Sequence, residues 1–218
     1  MGGCATSAAD ILHSFVKVEF DAEYFRNNNN KKMCEVVKFT GTGSGTIIKN
    51  NIVLTAGHIC DDDHITVVKI TVIDKKGEKY PATVRKISLK NDLCLLNVPN
   101  IPYKVAIHIR RGQLKYGEDI NNLAAPMGFS SPTYTPYFKG SYCGYSKKQS
   151  MFCMPAAGGS SGSAIYDKQW RIVGVVAMVL ADFHHITISP SLPVIQEFLK
   201  DVKPTPESVY NSFGEVKY

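Results

Sequence analysis

The chain has 218 residues, of which 44% are hydrophobic and 20% are charged, and this balance is ordinary for a globular protein with a sizeable core. Its net charge is +6 at pH 7. The basic residues occur in short scattered pairs, so we expect a solvated surface and no nucleic acid partner. The longest apolar run, residues 172–181, has ten residues, whereas a membrane-spanning helix needs roughly 18; this run therefore indicates a buried strand.

Residues 1–34 are predicted to form an N-terminal arm, in which residues 7–20 allow a short helix. The arm lacks the apolar core of a secretory signal, which favours an intracellular location. Its first residues, M-G-G-C-A-T, fit the pattern for myristoylation at Gly2, with Cys4 placed for palmitoylation. We therefore expect a membrane partner only if Gly2 and Cys4 are acylated. The alternatives for this pattern are a cloning scar, an excised polyprotein fragment or chance.

Residues 35–98 contain a first series of strand-like segments, separated by turn sequences such as K-K-G at residues 75–77. The segments are residues 35–39, 45–49, 52–55, 65–73, 81–88 and 93–98. This number of strands is sufficient for one small barrel.

Residues 99–118 hold two prolines and two glycines and are predicted to connect the first barrel to a second one. A second series of strand-like segments follows within residues 119–202. Its members are residues 119–124, 134–145, 149–154, 163–166, 172–179 and 185–189. After them, the sequence S-L-P at residues 191–193 opens an apolar-periodic segment that predicts a helix through Val202. Residues 203–218 are predicted to be a tail.

Three short motifs place a histidine, an aspartate and a serine in that order along the chain. His58 ends the motif T-A-G-H, Asp92 begins D-L-C-L-L, and Ser161 lies within G-S-S-G-S-A. This order of residues is that of the chymotrypsin-type peptidases. Over residues 35–200 the chain resembles the trypsin-like peptidases, and among them the HtrA-type and the viral or phage branch. The residues after the predicted helix are too few for the PDZ domain that HtrA-type proteases usually carry.

The resemblance implies an all-β, chymotrypsin-like fold of two six-stranded antiparallel β-barrels with a short C-terminal helix. It implies a serine endopeptidase that acts on a polypeptide substrate and requires no cofactor or metal. Ser161 would be the nucleophile, His58 the general base and Asp92 the acid that orients the histidine. The N–H groups of Gly159 and Ser161 would form the oxyanion hole. The acidic residues 61–63 are rivals of Asp92, but they lie in a polar loop.

The spacing of the family also places a primary substrate pocket. Its floor would contain Pro155 and Ala156, its wall Ala177 and Val179, and His185, or its neighbour His184, would reach the base. Since the floor carries no acid, we expect a small or medium uncharged side chain at the cleavage site. Glutamate or glutamine contacted by a histidine is the second choice.

Two rival functions are compatible with the same sequence. Residues 158–162 also match G-x-S-x-G, the nucleophile elbow of α/β-hydrolases, with Ser160 as nucleophile and Asp182 and His184 or His185 as its partners. That fold requires a helix after the elbow, whereas a strand is predicted there. The second rival is a catalytically silent trypsin-like binding module. The sequence leaves open the oligomeric state and the choice between a viral or phage processing enzyme and a cytosolic one.

The six cysteines contain no C-x-x-C pair, so zinc and redox motifs are not supported. Cys60 stands where trypsin-like enzymes carry the cysteine after the catalytic histidine, but the matching stretch, residues 41–45, has none. Cys143 and Cys153 could bridge across a hairpin. We expect most of the thiols to be reduced.

Overall fold

Strands make up most of the fold, and short helices flank them at either end. The computed structural model describes residues 8–28, 33–102, 108–180 and 183–202. Several predicted features lie outside the described residues. They are the acylation pattern at Gly2 and Cys4, the residue Asp182, the side chain of His184 and the tail predicted for residues 203–218.

The first barrel is closed by six antiparallel strands in the order β1-β2-β3-β6-β5-β4. A short helix, α1 (Ala8–Ser14), precedes them. The strands are β1 (Phe15–Asn28), β2 (Met33–Lys49), β3 (Ile52–Thr55), β4 (Thr66–Ile73), β5 (Lys79–Ser88) and β6 (Leu93–Asn97).

The first barrel begins earlier in the chain than residue 35, where the sequence analysis placed it. Strand β1, which lies in the predicted arm, pairs with both β2 and β4. Its buried residues, including Val16, Val18 and Phe20, alternate with partly exposed charged ones such as Lys17 and Glu19. This period of two is that of a strand with one face in the core. The number of strands is still six, because two of the predicted segments are parts of the single long strand β2.

The second sheet has the strand order β11-β10-β7-β8-β9-β13-β12, and all its pairs are antiparallel. Its strands are β7 (Asp119–Leu123), β8 (Tyr137–Ser146), β9 (Gln149–Cys153), β10 (Ala164–Tyr166), β11 (Ile172–Val175), β12 (Met178–Leu180) and β13 (Phe183–Pro190). The two ends of this order, β11 and β12, are separated in the chain only by Val176 and Ala177. The sheet therefore returns on itself, and it has six strands if β11 and β12 are counted as one interrupted strand. The predicted two-barrel, all-β fold is confirmed.

The two barrels and a C-terminal helix share one apolar cluster. The helix α2 (Leu192–Leu199) starts with a proline in its first turn, a favourable position for that residue, and it buries Ile195 and Phe198. Leu54 and Leu93 of the first barrel and Tyr166 of the second pack in the same cluster. The helix follows the predicted S-L-P signal but ends at Leu199, before the predicted Val202.

Tyr166 forms a polar contact between the barrels within that cluster. Its hydroxyl lies 3.2 Å from the Thr46 Oγ1 of β2. Burial raises the pKa of Tyr166 to about 12, although its hydrogen bonds to Thr46 and Ser14 act in the opposite direction. The neutral phenol is therefore strongly favoured in the folded chain.

Four of the cysteines are paired in the structure, contrary to the expectation that most of them are reduced. Cys60 is bonded to Cys94, with Cα atoms 6.6 Å apart, and Cys143 is bonded to Cys153, with Cα atoms 5.8 Å apart. Both distances lie in the usual range for disulfides. The bridge across the β8–β9 hairpin had been suggested by the sequence, whereas the partner of Cys60 had not. Across the described ranges, no helix has the length and apolar character needed to cross a membrane.

Candidate active site

His58 and Asp92 meet at one end of the first barrel. His58 lies in a 3-10 turn (Gly57–Ile59) just after β3, and Asp92 lies just before β6. Strands β3 and β6 are paired neighbours, with Thr55 opposite Cys94. This pairing brings the ends of both strands, and the two residues next to them, together.

The contact between the two side chains orients the imidazole ring. The His58 Nδ1 lies 2.9 Å and 3.0 Å from the two carboxylate oxygens of Asp92, and the backbone N–H of His58 donates to the same carboxylate at 2.9 Å. Because a carboxylate can only accept hydrogen bonds, Nδ1 carries the proton in this contact. The lone pair of a neutral ring then lies on Nε2, on the other side of the ring.

Close backbone packing makes this contact possible. A Cβ atom on Gly57 would lie 3.1 Å from both the Cα of Asp92 and the nitrogen of Leu93, so a larger residue would push the two turns apart. Asp92 itself has a φ of +51°, a left-handed conformation that aspartate tolerates better than most residues.

Ser161 lies in a tight loop that joins β9 to β10 and contains two glycines with positive φ, Gly159 at +90° and Gly162 at +87°. Within this loop the N–H groups of Ser160, Gly162 and Ser163 all donate to carbonyl oxygens. By contrast, neither the Gly159 N–H nor the Ser161 N–H has an acceptor in the described part of the chain. These are the two donors that the sequence analysis assigned to an oxyanion hole.

The Ser161 loop packs against the barrel that carries His58. The backbone N–H of Ser44, in β2, donates to the Ser161 carbonyl oxygen at 2.7 Å. A Cβ on Gly162 would overlap the Thr55 Oγ1 and the Ser44 carbonyl oxygen and would lie 2.8 Å from the nitrogen of Ala56. The loop therefore lies directly against the end of β3, next to the turn that holds His58.

Sequence reasoning missed Ser44, which is fully buried where the two barrels meet. Its hydroxyl donates to the Gly159 carbonyl oxygen at 2.8 Å and accepts from the Ala125 N–H at 2.9 Å. Its carbonyl oxygen accepts from the Thr55 hydroxyl at 2.8 Å. Ser44 thus binds the Ser161 loop at two carbonyl oxygens, those of Gly159 and Ser161, from the first barrel. The only sequence signal was a serine between two glycines in a strand, which is not specific.

Ser161 is partly exposed, and its hydroxyl makes no hydrogen bond to any residue that the structure describes, His58 included. Ser160 differs from it in every respect that matters for a nucleophile. Ser160 is fully buried, its hydroxyl accepts from the Ala157 N–H, and the strand β10 follows where an α/β-hydrolase has a helix. The α/β-hydrolase alternative is therefore wrong.

The five residues predicted for the substrate pocket lie on neighbouring parts of the second barrel. Pro155 and Ala156 follow β9, Ala177 and Val179 flank the start of β12, and His185 lies in β13, next to both strands. Ala156 is buried, whereas His185 is exposed and its ring packs edge-on against Phe183.

A buried threonine, Thr187, also belongs to this region and was not predicted. It pairs with Val179, and its hydroxyl donates to the Met154 carbonyl oxygen at 2.8 Å. Because side chains alternate along a strand, Thr187 shares a face of β13 with His185. His185 itself is exposed, near the beginning of β13, where the pairing with β12 is irregular. Among the described residues, no group of three or more histidine, cysteine, aspartate or glutamate side chains is placed to hold a metal ion.

Solved structures with similar folds include three of the Rv3671c protease from M. tuberculosis. The active form has a TM-score of 0.68 and 18% identity, over 90% of this chain and 84% of that one. A serine-to-alanine mutant in an inactive form has a TM-score of 0.66 and 17% identity, over 89% and 88% of the two chains. A further inactive form has a TM-score of 0.66 and 18% identity, over 89% and 91%. At these identities the likeness concerns the fold.

A match to a family model goes further than the fold. The model of the trypsin-like peptidase domain matches residues 43–175, which is more than half of the chain and includes His58, Asp92 and Ser161. A search of curated proteins found no match. Together with the fold, the match to the family model shows that this chain belongs to the family of trypsin-like peptidases.

Proposed function

We propose that this serine peptidase is an endopeptidase that cleaves polypeptides with Ser161, His58 and Asp92 through an acyl-enzyme intermediate. The observation that best supports this proposal is the contact between His58 and Asp92, at the barrel end against which the Ser161 loop packs. A serine hydroxyl is a weak nucleophile and needs an adjacent base. This arrangement provides a base whose free nitrogen is Nε2.

In the first half of the reaction, His58 Nε2 takes the proton of the Ser161 hydroxyl while Oγ attacks the carbonyl carbon of the peptide bond. The negative charge that forms on the carbonyl oxygen is held by the N–H groups of Gly159 and Ser161, which have no other acceptor among the described residues. The intermediate then collapses, the C–N bond breaks, and the leaving amine receives the proton from His58.

In the second half, a water molecule replaces the amine. His58 takes a proton from the water as it attacks the ester carbon, and returns it to Ser161 when the ester bond breaks. The product is a carboxylic acid and the enzyme is regenerated. Throughout, Asp92 accepts the hydrogen bond from the His58 Nδ1–H. This contact keeps the ring in its orientation and stabilises the positive charge that the ring carries between the two proton transfers.

For the substrate we propose a small or medium uncharged side chain at the cleavage site, in a pocket formed by Pro155, Ala156, Ala177, Val179 and His185. The side chain of Val179, which is half-buried in the wall, narrows the pocket. None of these residues is acidic, so lysine and arginine are disfavoured at the cleavage site. Glutamate or glutamine in contact with His185 is the alternative. Cleavage of a peptide library that varies only the residue before the scissile bond distinguishes the two.

For the biological role we propose limited processing of a polypeptide, as in the viral or phage enzymes that the motifs resemble, with an intracellular location. The two disulfides point in the other direction, because disulfides are more typical of oxidising compartments. Counting free thiols in protein taken from its native source under alkylating conditions therefore tests the intracellular proposal directly.

The proposed reaction is tested by the hydrolysis of fluorescently labelled casein. The wild type is expected to cleave it, Ser161→Ala and His58→Ala to lose about 10⁴-fold or more in kcat, and Asp92→Asn to lose about 10⁴-fold. Ser160→Ala is the matched control, since it removes the neighbouring hydroxyl and leaves the three proposed catalytic side chains in place. If folded wild type releases no product from casein or from the peptide library, the proposed endopeptidase is contradicted and a silent binding module is favoured.

A further inference from the structure

A second concave site lies away from the residues proposed for catalysis. It is a cavity of about 580 Å³ between residues 111–116, the β8–β9 hairpin and the first turn of α2. None of the residues proposed for the reaction or for the primary pocket lines it. A volume of this size is typical of sites that hold a ligand or a few side chains.

Tyrosines supply much of the lining. Tyr142 is buried, and its ring packs against Phe152 of the core, so it forms a fixed floor. Tyr116 and Tyr145 stand at the edge with 83% and 75% of their surface exposed. Large exposed aromatic rings around a concavity are typical of binding surfaces, because they bury much area at little cost in side-chain entropy.

The charge of the lining has one sign. Arg111 and Lys147 both line the cavity, and no aspartate or glutamate does. Neither side chain has a hydrogen-bond or ion-pair partner among the residues that the structure describes. In contrast, the neighbouring Arg110 is paired with Glu118 and Asp167. The cavity therefore presents two unpaired cations to whatever occupies it, which complements a carboxylate-bearing ligand.

The cavity and the proposed substrate pocket lie at opposite ends of the same pair of strands. Ser150, which lines the cavity, pairs with Ser189, whereas Cys153 near the pocket pairs with Ile186. Pro155 at the proposed pocket floor lies five positions after Ser150, a span of about 16 Å at about 3.3 Å per strand residue. Tyr142 of the cavity and Ala156 of the proposed pocket pack in the same core cluster. A peptide that reaches both sites therefore passes around the barrel and needs more than the about five or six extended residues that cover the straight distance.

We propose that this cavity is an exosite that binds an acidic segment of the polypeptide substrate, with carboxylates on Arg111 and Lys147 and an apolar side chain among the tyrosines. The inference rests on the proposed function, since it names a second recognition site for the same substrate. A peptide fits better than a nucleic acid strand, because the site is a single open pocket with two cations and not an extended basic groove.

Binding is measured by fluorescence anisotropy on the Ser161→Ala variant, so that the probe is not cleaved. The probe is a short fluorescein-labelled peptide of alternating glutamate and phenylalanine. Replacing both cations, as Arg111→Gln with Lys147→Gln, is expected to weaken binding by about tenfold, the effect of two exposed charge pairs. The matched control is Arg85→Gln with Lys76→Gln, which removes the same charges from exposed positions outside the cavity and should leave binding within about twofold.

Three results would overturn the exosite. The cavity variant and the control could bind equally, the peptide with glutamine in place of glutamate could bind as well as the acidic one, or a single-stranded oligonucleotide could displace the peptide at lower concentration and depend on Arg111 and Lys147.

A kinetic measurement separates the exosite from the proposed function. With a short substrate, the cavity variant should keep the wild-type KM and kcat. With a substrate that extends the same cleavage site by an acidic segment, the cavity variant should have a higher KM than wild type and the same kcat. If the wild type binds the acidic peptide in the cavity but hydrolyses nothing, the endopeptidase proposal fails and the binding site stands; if it hydrolyses both substrates with equal KM, the exosite fails and the endopeptidase stands.

Discussion

Replacing Ser44 by alanine removes one oxygen atom from the junction of the two barrels and leaves two buried backbone groups without a partner. The Gly159 carbonyl oxygen loses its donor and the Ala125 N–H loses its acceptor. Leaving a buried polar group unsatisfied costs about 1–3 kcal/mol. Since the cavity left by one hydroxyl is small, we expect Ser44→Ala to lower the free energy of unfolding by about 2–4 kcal/mol.

The same change should slow the reaction more than it weakens substrate binding. The Ser44 hydroxyl donates to the carbonyl oxygen of Gly159, a residue whose φ is +90°. We therefore expect this hydrogen bond to stabilise the loop conformation that directs the Gly159 N–H. Losing one oxyanion donor costs about 100- to 1,000-fold in kcat. Because Ser44→Ala would loosen the proposed donor, the Gly159 N–H, without deleting it, we expect kcat to fall by about 10- to 100-fold, with KM changed by less than about threefold.

The chain offers a matched control in Ser189. This residue is also fully buried, and its hydroxyl also accepts one backbone N–H, that of Val175, and donates to one carbonyl oxygen, that of Pro190. Ser189→Ala should therefore lose similar stability in urea unfolding, but it should keep kcat. If Ser44→Ala loses stability while kcat stays within a factor of two of wild type, Ser44 does not position the oxyanion loop. If both variants are as stable as wild type, these buried hydrogen bonds contribute less than the about 1–3 kcal/mol expected for each buried group.

Three further predictions concern the packing of the site, the disulfide beside it and the barrel interface. Gly162→Ala should lower the free energy of unfolding by about 2–5 kcal/mol in urea, because a Cβ there meets a strained φ and the oxygen atoms of the first barrel; Gly112→Ala, where a Cβ meets nothing within 4 Å, should not. The double variant Cys60→Ala with Cys94→Ala should lower the free energy of unfolding by about 3–4 kcal/mol, since the bridge closes a loop with a sequence separation of 34. Equal stability of this variant and of oxidised wild type would contradict the pairing. With the pKa of Tyr166 raised to about 12 in the fold and about 10 in the unfolded chain, the unfolded chain releases its proton first, so stability should fall between about pH 10 and 12. Tyr166→Phe should remove that part of the pH dependence, and an unchanged slope would show that Tyr166 is not its source.

The candidate catalytic residues could be predicted because each lies in a short contiguous motif with its own local geometry. T-A-G-H provides a small residue, Gly57, where two turns meet closely, and G-S-S-G-S-A provides glycines at the two positive-φ positions of the Ser161 loop. These requirements are met within a few residues of chain, so they leave a readable pattern in the sequence.

Features that depend on distant pairing left weaker patterns. The sequence did not reveal that β1 belongs to the barrel, because the apolar positions within residues 7–20 also fit a helix. Only the pairing with β2 and β4 decides between the helical period of about 3.6 and the strand period of about 2. The bond between Cys60 and Cys94 depends on the pairing of β3 with β6, which no local spacing reveals. Ser44 is positioned for its role by groups more than 80 residues away in the chain, and a serine in a strand carries no sign of them.

The central claim is that Ser161 is an activated nucleophile, and covalent labelling with a fluorophosphonate tests it most directly. The labelled site is identified by mass spectrometry of the digested protein, with Ser161→Ala and Ser160→Ala treated in parallel. We predict that the label lies on Ser161, that only Ser161→Ala abolishes it, and that Asp92→Asn slows it. A label on Ser160, or no label on the folded wild-type protein, would contradict the account.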